Sequence, residues 1–292
     1  MLYILFTIIC ITTIGVLFKV FPKYGINAFQ AIVINYLVCV LSAWVHLGYF
    51  PLSDAIFQEP WFMHSIGLSV CFISGFYFQS VIFKAFGMAI STIVLKLSLV
   101  LTVLFSLLMY KEDIYLAKVI GILLAFASII LVSYPTKGGL HAQKENSTSE
   151  WVILGASFLI AAMVDIGFQY VERSVALSSA DPRFIASATG LAFVWGMMIE
   201  TSRYIRKKST IHHNNLIAGI LLGLANYATF FGLMKSLGTS IDGSTVFTSL
   251  SVGAILLSTV IGVMGFREQL ARINFLGILI AIIAVILISM PK

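Results

Sequence analysis

Apolar runs of about twenty residues recur from Leu2 to the last residues of this 292-residue chain, and that recurrence limits the possible folds more than any other feature. A run of about 20 apolar residues, coiled as a helix, matches the hydrocarbon thickness of a bilayer. A membrane barrel would need strands of about ten residues with alternating polarity. Backbone in lipid must satisfy its own hydrogen bonds, so helices follow. Bounded by charges, Gly or Pro, the runs lie near 2–18, 27–49, 61–85, 89–109, 115–134, 151–172, 184–205, 215–236, 243–265 and 273–290. The predicted fold is an all-α integral membrane protein with ten transmembrane helices. Composition agrees, since 60% of residues are hydrophobic and 10% charged, against about 45–50% and about 25% in soluble domains. The first run has no basic stretch before it and no small-residue cleavage site after it, so it is expected to remain as the first helix.

The net charge is +6, but the basic residues are scattered singly apart from Arg206-Lys207-Lys208. Membrane lipid headgroups are therefore the expected anionic partner, and nucleic acid is not. Cys10, Cys39 and Cys71 lie inside apolar runs without metal-ligand spacing and read as small hydrophobes. His46, His64, His141, His212 and His213 form no ligand constellation, so neither metal nor cofactor is expected. There is no Gly-x-x-x-x-Gly-Lys-Ser/Thr loop for nucleotide drive. A membrane-embedded enzyme would need clustered His, Asp, Glu or Cys at a membrane face, and the sequence offers none.

The longest polar connection runs from Thr136 to Ser149, which divides the chain into 1–135, a linker at 136–150, and 151–292. Asn146-Ser147-Thr148 within it is formally a glycosylation triplet, read as chance in so polar a loop. Sliding the chain by 156 residues lays Lys111–Pro135 on Arg267–Pro291. Identities then fall at Glu112/Glu268, Gly121/Gly277, Ala125/Ala281, Ser133/Ser289 and Pro135/Pro291, besides four Ile and Leu positions. Apolar low complexity accounts for Ile and Leu, not for Glu, Gly, Ser and Pro in register. With gaps, Lys84 and Gly87 fall on Lys235 and Gly238, and Ile14-Gly15 on Ile166-Gly167. Each half then holds five spans, and an odd number forces the second half to enter the membrane the other way round. Inverted repeats of this kind are typical of secondary transporters, with binding expected at the repeat interface near mid-bilayer.

Two five-helix units, each with a Glu-bearing turn before a fifth helix of Gly-x-x-Leu type, resemble the ten-helix, EamA-type branch of the drug/metabolite transporter superfamily. The residues that carry the resemblance are Glu112 with Gly121 and Glu268 with Gly277. It implies a transporter of small metabolites, often an exporter, with both termini cytoplasmic. Members often have a Pro in the fourth helix of each repeat; the runs 89–109 and 243–265 have none.

Intramembrane ionisable groups are costly, about 2.5–3.5 kcal/mol at a helix centre on insertion scales. Lys96 and Asp165 are the two that stand out. Counted at 1.5 Å per residue, Lys96 lies roughly 10 Å deep and Asp165 about twice that, which does not suggest a salt bridge. Asn35, Tyr77 and Gln79 fall near the depth of Lys96, so one half could offer an ammonium and three hydrogen-bonding groups to a substrate carboxylate. The alternative is a lysine that snorkels to the interface. Asn226 and Tyr227 lie near mid-membrane and are further candidates. Ser157, Ala161, Asp165 and Gln169 share one helix face; Asp165 is either a proton or cation carrier or a structural carboxyl. Glu112 and Glu268, at interhelix turns, read as helix-terminal anchors rather than ligands.

Lys and Arg number eleven on the face that carries the 3–4 loop and six on the other. By the positive-inside rule the termini would be outside, opposite to what the resemblance implies, although four of the eleven come from the 7–8 loop alone. The leading expectation is a secondary transporter, an exporter by resemblance, of amino acids or other carboxylate-bearing metabolites, with proton or cation coupling, in a bacterial inner membrane. A flippase for a lipid-linked headgroup is the alternative within transport.

Overall fold

The computed structural model describes residues 2–109, 115–132, 148–174, 181–206, 212–237, 243–268 and 270–289. Glu112, most of the linker and the far end of the repeated segment lie outside these residues. The helices are α1 (Leu2–Val20), α2 (Ala28–Leu47), α3 (Phe62–Phe86), α4 (Met88–Lys96), α5 (Leu99–Met109), α6 (Leu116–Val132), α7 (Thr148–Ser174), α8 (Pro182–Ile205), α9 (His213–Leu237), α10 (Gly243–Val260) and α11 (Arg272–Ser289). Among the described residues there is no strand. Six helical stretches are long and apolar enough to cross a membrane: Leu2–Tyr24, Ala28–Leu47, Phe62–Phe86, Thr148–Val171, Pro182–Ile205 and His213–Ser236. The rest of the apolar helices are shorter. This is a helical protein of membrane type.

Helix limits follow local chemistry. Asn27 opens α2 by accepting from the amides of Phe29 at 3.1 Å and Gln30 at 3.4 Å, and Gly48 closes it at φ 75. Asp181 caps α8, with Pro182 in the first turn, where its missing N–H is of no consequence. The run 89–109, expected as one span, is two helices broken at Leu97 and Ser98. No proline makes this break. Instead the Ser98 hydroxyl donates to the Leu95 carbonyl at 2.6 Å, competing for a backbone acceptor of the last turn. The run 243–265 likewise departs from α-geometry at its end, in a π-helical turn over Ile261–Gly265.

The chain forms two compact units, Met1–Ser80 with Gly167–Thr239, and Val81–Ile166 with Ser240–Lys292. Each takes elements from both sides of the linker, so the compact units cut across the sequence halves. In the first, α2 packs on α8 and α9, and α1 on α9. Gly219 and Gly223 let the α2 and α9 backbones approach: a Cβ added to them would stand 2.5 Å from Ile34 Cβ and 2.6 Å from Val38 Cβ. A chain of buried rings fills the centre, with Phe72 on Phe230 at 5.2 Å, Phe168 on Phe230 at 5.6 Å, and Tyr36 on Phe72 at 6.5 Å.

In the second unit α6 packs on α11 and α4 on α10. The α6–α11 pair joins the two copies of the repeated segment through its small residues: Ala125 and Ala281 are fully buried, and Ser128 Oγ donates to the Gly277 carbonyl at 2.8 Å. Ile93, Leu97, Val100 and Ile255 complete that core.

Candidate functional site

Within the second unit, the break between α4 and α5 sets Ser98 against Asp165, with Lys96 two residues before Ser98. Lys96 is the last residue of α4, and Ser98 stands just before Leu99, the first residue of α5. Ser98 Oγ also lies 3.3 Å from Asp165 Oδ2, to which it can donate across 67 residues of sequence. Lys96 and Asp165 interact electrostatically, and among the described residues neither a hydrogen bond nor a close ion pair engages the Lys96 ammonium. The depths assigned from sequence overstate their separation, because each was counted from the end of its own apolar run. The Phe86 and Trp151 rings pack at 4.9 Å and fix α3 and α7 in register. Counted from that contact at 1.5 Å per residue, Lys96 lies about 15 Å and Asp165 about 21 Å along.

At its other end α4 is capped from a distant part of the chain. Glu268 Oε1 accepts from the Met88 amide at 2.7 Å, and Oε2 from the Ala89 amide at 3.1 Å. A carboxylate satisfies free amides and opposes the positive pole of the helix at once. Gly87, at φ 85, makes room for it. Glu268 thus caps a helix that is not its own neighbour in sequence. Glu112, its repeat mate, is outside the described residues; Gly121 and Gly277 are buried helix-packing positions.

The other candidates belong to the first unit. Asn35 and Asn226 are brought together: Asn226 Nδ2 donates to Asn35 Oδ1 at 3.1 Å, and both side chains are buried. Asn35 Nδ2 reaches the Ile32 carbonyl at 3.4 Å, and the Cys39 thiol lies 3.6 Å from the Gly223 carbonyl. Tyr227 pairs its hydroxyl with His46 Nδ1 at 2.8 Å. Tyr77 is 42% exposed and sits edge-on to Phe29. Gln79 is half-buried, and Gln169, four residues past Asp165, falls on the first-unit side of the division within α7. Lys96 therefore shares its unit with Asp165, and the Asn35, Tyr77 and Gln79 group does not.

Two features escaped the sequence reading. Glu200, inside α8, accepts from Gln30 Nε2 at 2.7 Å, Gln30 in turn accepts from Asn215 Nδ2, and Asn215 Oδ1 accepts from the Asn27 amide at 3.0 Å. Arg203 stands one turn from Glu200, 3.4 Å from its Oε2 and over the Phe29 ring. This polar clasp ties α2, α8 and α9. The available signal was an acidic residue in an apolar run with an arginine three places on. The second feature is Tyr36, whose buried hydroxyl has no hydrogen-bond partner among the described residues.

No family model matches the chain. An uncharacterized protein of Haemophilus influenzae is 26% identical over 288 residues, covering 97% of this chain and 95% of that protein. A solved protein crystal structure superposes with a TM-score of 0.60 at 16% identity, over 97% of this chain and 95% of that one. That likeness is one of fold alone.

Proposed function

We propose that this chain is a secondary-active transporter of small carboxylate-bearing metabolites, of the ten-helix drug/metabolite type. In this reading ten spans form two inverted five-helix repeats in a bacterial inner membrane, and the protein works by alternating access. The observation that supports it most is the interruption of the fourth apolar run at Lys96–Ser98 beside Asp165. Secondary transporters place ion and substrate sites at discontinuous helices inside the bundle. Ionisable side chains at such a break have a use that offsets their cost of burial. The pairing of α2 with α8, α4 with α10 and α6 with α11 supports a two-fold relation between the repeats. Lys96 is assigned to the substrate carboxylate and Asp165 to coupling. Asn35 and Asn226, bonded to each other, are assigned to holding α2 on α9.

The test begins with a thermal-shift screen of purified protein across amino acids, sugars, nucleosides and organic acids, since a ligand that binds the folded state raises its stability. Lys96→Met, which keeps the apolar stem and removes the charge, should then weaken binding of the carboxylate found by roughly ten- to a hundred-fold. Lys96→Arg keeps the charge in a different shape and should lie between. Unchanged binding in Lys96→Met overturns the assignment.

A further inference from the structure

Asp165 stands at the α4–α5 break beside a cationic residue. The eleven-residue α5 starts at Leu99, and the Val100, Leu101 and Thr102 amides are taken up by the Leu97 and Ser98 carbonyls, so the break offers an anion side chains rather than free backbone amides. Ser98, immediately before α5, reaches Asp165 at 3.3 Å, so the carboxylate lies at the break. Lys96, ending α4, adds an ammonium with which Asp165 interacts. Yet the carboxylate is held loosely. The Ser98 hydroxyl is closer to the Leu95 carbonyl, at 2.6 Å, and the Lys96 ammonium is not hydrogen-bonded to any described residue.

Among the described residues, few other charges lie on the elements packed against the break. On the elements that touch α4 and α5, α3 has Lys84 in its last turn, α10 carries no ionisable residue, α6 has Lys118 in its first turn only, and α11 has Arg272 at its first position only. Glu268 is at the opposite end of α4. On α7 the remaining charged residues are Glu150, in the first turn, and Glu172 and Arg173, in the last.

We propose that Asp165 is the resident anion of the Lys96–Ser98 site, and that a monocarboxylate substrate displaces it while Asp165 takes a proton from water, so that one proton enters with each carboxylate. This rests on the reading of Lys96 as the ligand of a substrate carboxylate. Two carboxylates beside one ammonium, away from bulk water, do not both stay ionised. The site is neutral when empty, as ammonium with Asp165 carboxylate, and neutral when loaded, as ammonium with substrate carboxylate and Asp165 carboxylic acid. Movement is therefore electroneutral co-transport, driven by a pH difference and directed towards the side of lower proton activity. Across a membrane with an acidic outer face that direction is inward, against the export implied by family resemblance.

Acetate, ionised throughout pH 6–8, serves as the minimal probe, with chloride at matched ionic strength as control. Its apparent affinity for the purified wild-type protein, read from the rise in unfolding temperature, should fall by about tenfold per pH unit across this range. In Asp165→Asn the same affinity should be higher and flat with pH, and in Lys96→Met the acetate response should vanish. A Lys96-dependent response that is flat with pH in the wild type overturns the exchange of carboxylates but leaves the carboxylate site standing. No acetate response, or one that survives in Lys96→Met, overturns both. The wild-type pH series decides between these outcomes even if Asp165→Asn does not fold.

Discussion

Gly87 and Glu268 meet so closely that no side chain fits between them: a Cβ on Gly87 would stand 2.7 Å from Glu268 Oε1. The glycine has φ 85, a conformation other L-residues resist, and it delivers the Met88 and Ala89 amides to the carboxylate. Gly262 contributes from its own side, since a Cβ there would lie 2.6 Å from Oε2. The short helix α4 thus carries an anion at its positive pole and Lys96 at its negative one, both favourable to a segment too short to be stable alone.

Gly87→Ala should therefore destabilise the protein by about 1–3 kcal/mol through backbone strain alone, and more through the displaced carboxylate. Glu268→Gln keeps an acceptor for one amide and should cost less than Glu268→Ala, which strips both. Thermal unfolding of the three variants in detergent measures the order. An unfolding temperature for Gly87→Ala equal to that of the parent would show that α4 does not depend on this cap.

Asn35 and Asn226 provide the second test. Truncating either leaves a buried amide without its partner, at about 1–3 kcal/mol, whereas replacing both with Leu removes donor and acceptor together. Asn35→Leu and Asn226→Leu should each destabilise, and the double variant should cost less than their sum. A double-mutant cycle in chemical unfolding reads the difference. Strict additivity would mean that the 3.1 Å bond does not hold α2 on α9.

What the sequence revealed of this molecule was set by the range of the forces involved. Span limits such as Ala28–Leu47 were legible because hydrophobicity is local and Asn27 and Gly48 mark the ends themselves. Gly121/Ala125 and Gly277/Ala281 stand at helical spacing and permit close helix contact, but they name no partner, so the packing of α6 on α11 was not legible from them. The break at Leu97–Ser98 was not legible, because residues 89–109 contain neither Pro nor Gly; its causes are a serine that bonds backward and a carboxylate 67 residues away. Asn35 and Asn226 could each be singled out as polar residues in lipid, but 191 residues separate them and only the fold makes them a pair. Glu200 went unnoticed beside Lys96 and Asp165, since its partner Gln30 lies 170 residues earlier.

Close helix approach yields a third prediction with its own control. A Cβ at Gly223 would meet Val38 Cβ at 2.6 Å and the Asn35 carbonyl oxygen at 2.8 Å, so the backbones of α2 and α9 would have to part. Gly223→Ala should cost about 1–3 kcal/mol, as overpacking generally does. Gly155, in α7, has nothing within 4 Å of an added Cβ. Gly155→Ala should be neutral or stabilising by about 1 kcal/mol, since alanine is the better helix former. Equal unfolding temperatures for the two variants would contradict the packing described for α2 and α9.

The last prediction concerns orientation, on which the proposed transport cycle depends. Five spans per repeat require the turn after the fourth span and the turn after the ninth to lie on opposite faces of the membrane. Single cysteines introduced at Asp113 and Gln269 report on these turns. The native thiols must first be removed, and Cys39, which is within 3.9 Å of Asn35 Oδ1, is best replaced by serine to keep a donor there. In right-side-out vesicles a membrane-impermeant maleimide should then label one of the two positions, and in inverted vesicles the other. Which one labels first also decides between the Lys and Arg count, which puts the termini outside, and the family resemblance, which puts them in the cytoplasm. Labelling of both positions from the same face would eliminate the inverted repeat, and with it the alternating-access reading built on Lys96 and Asp165.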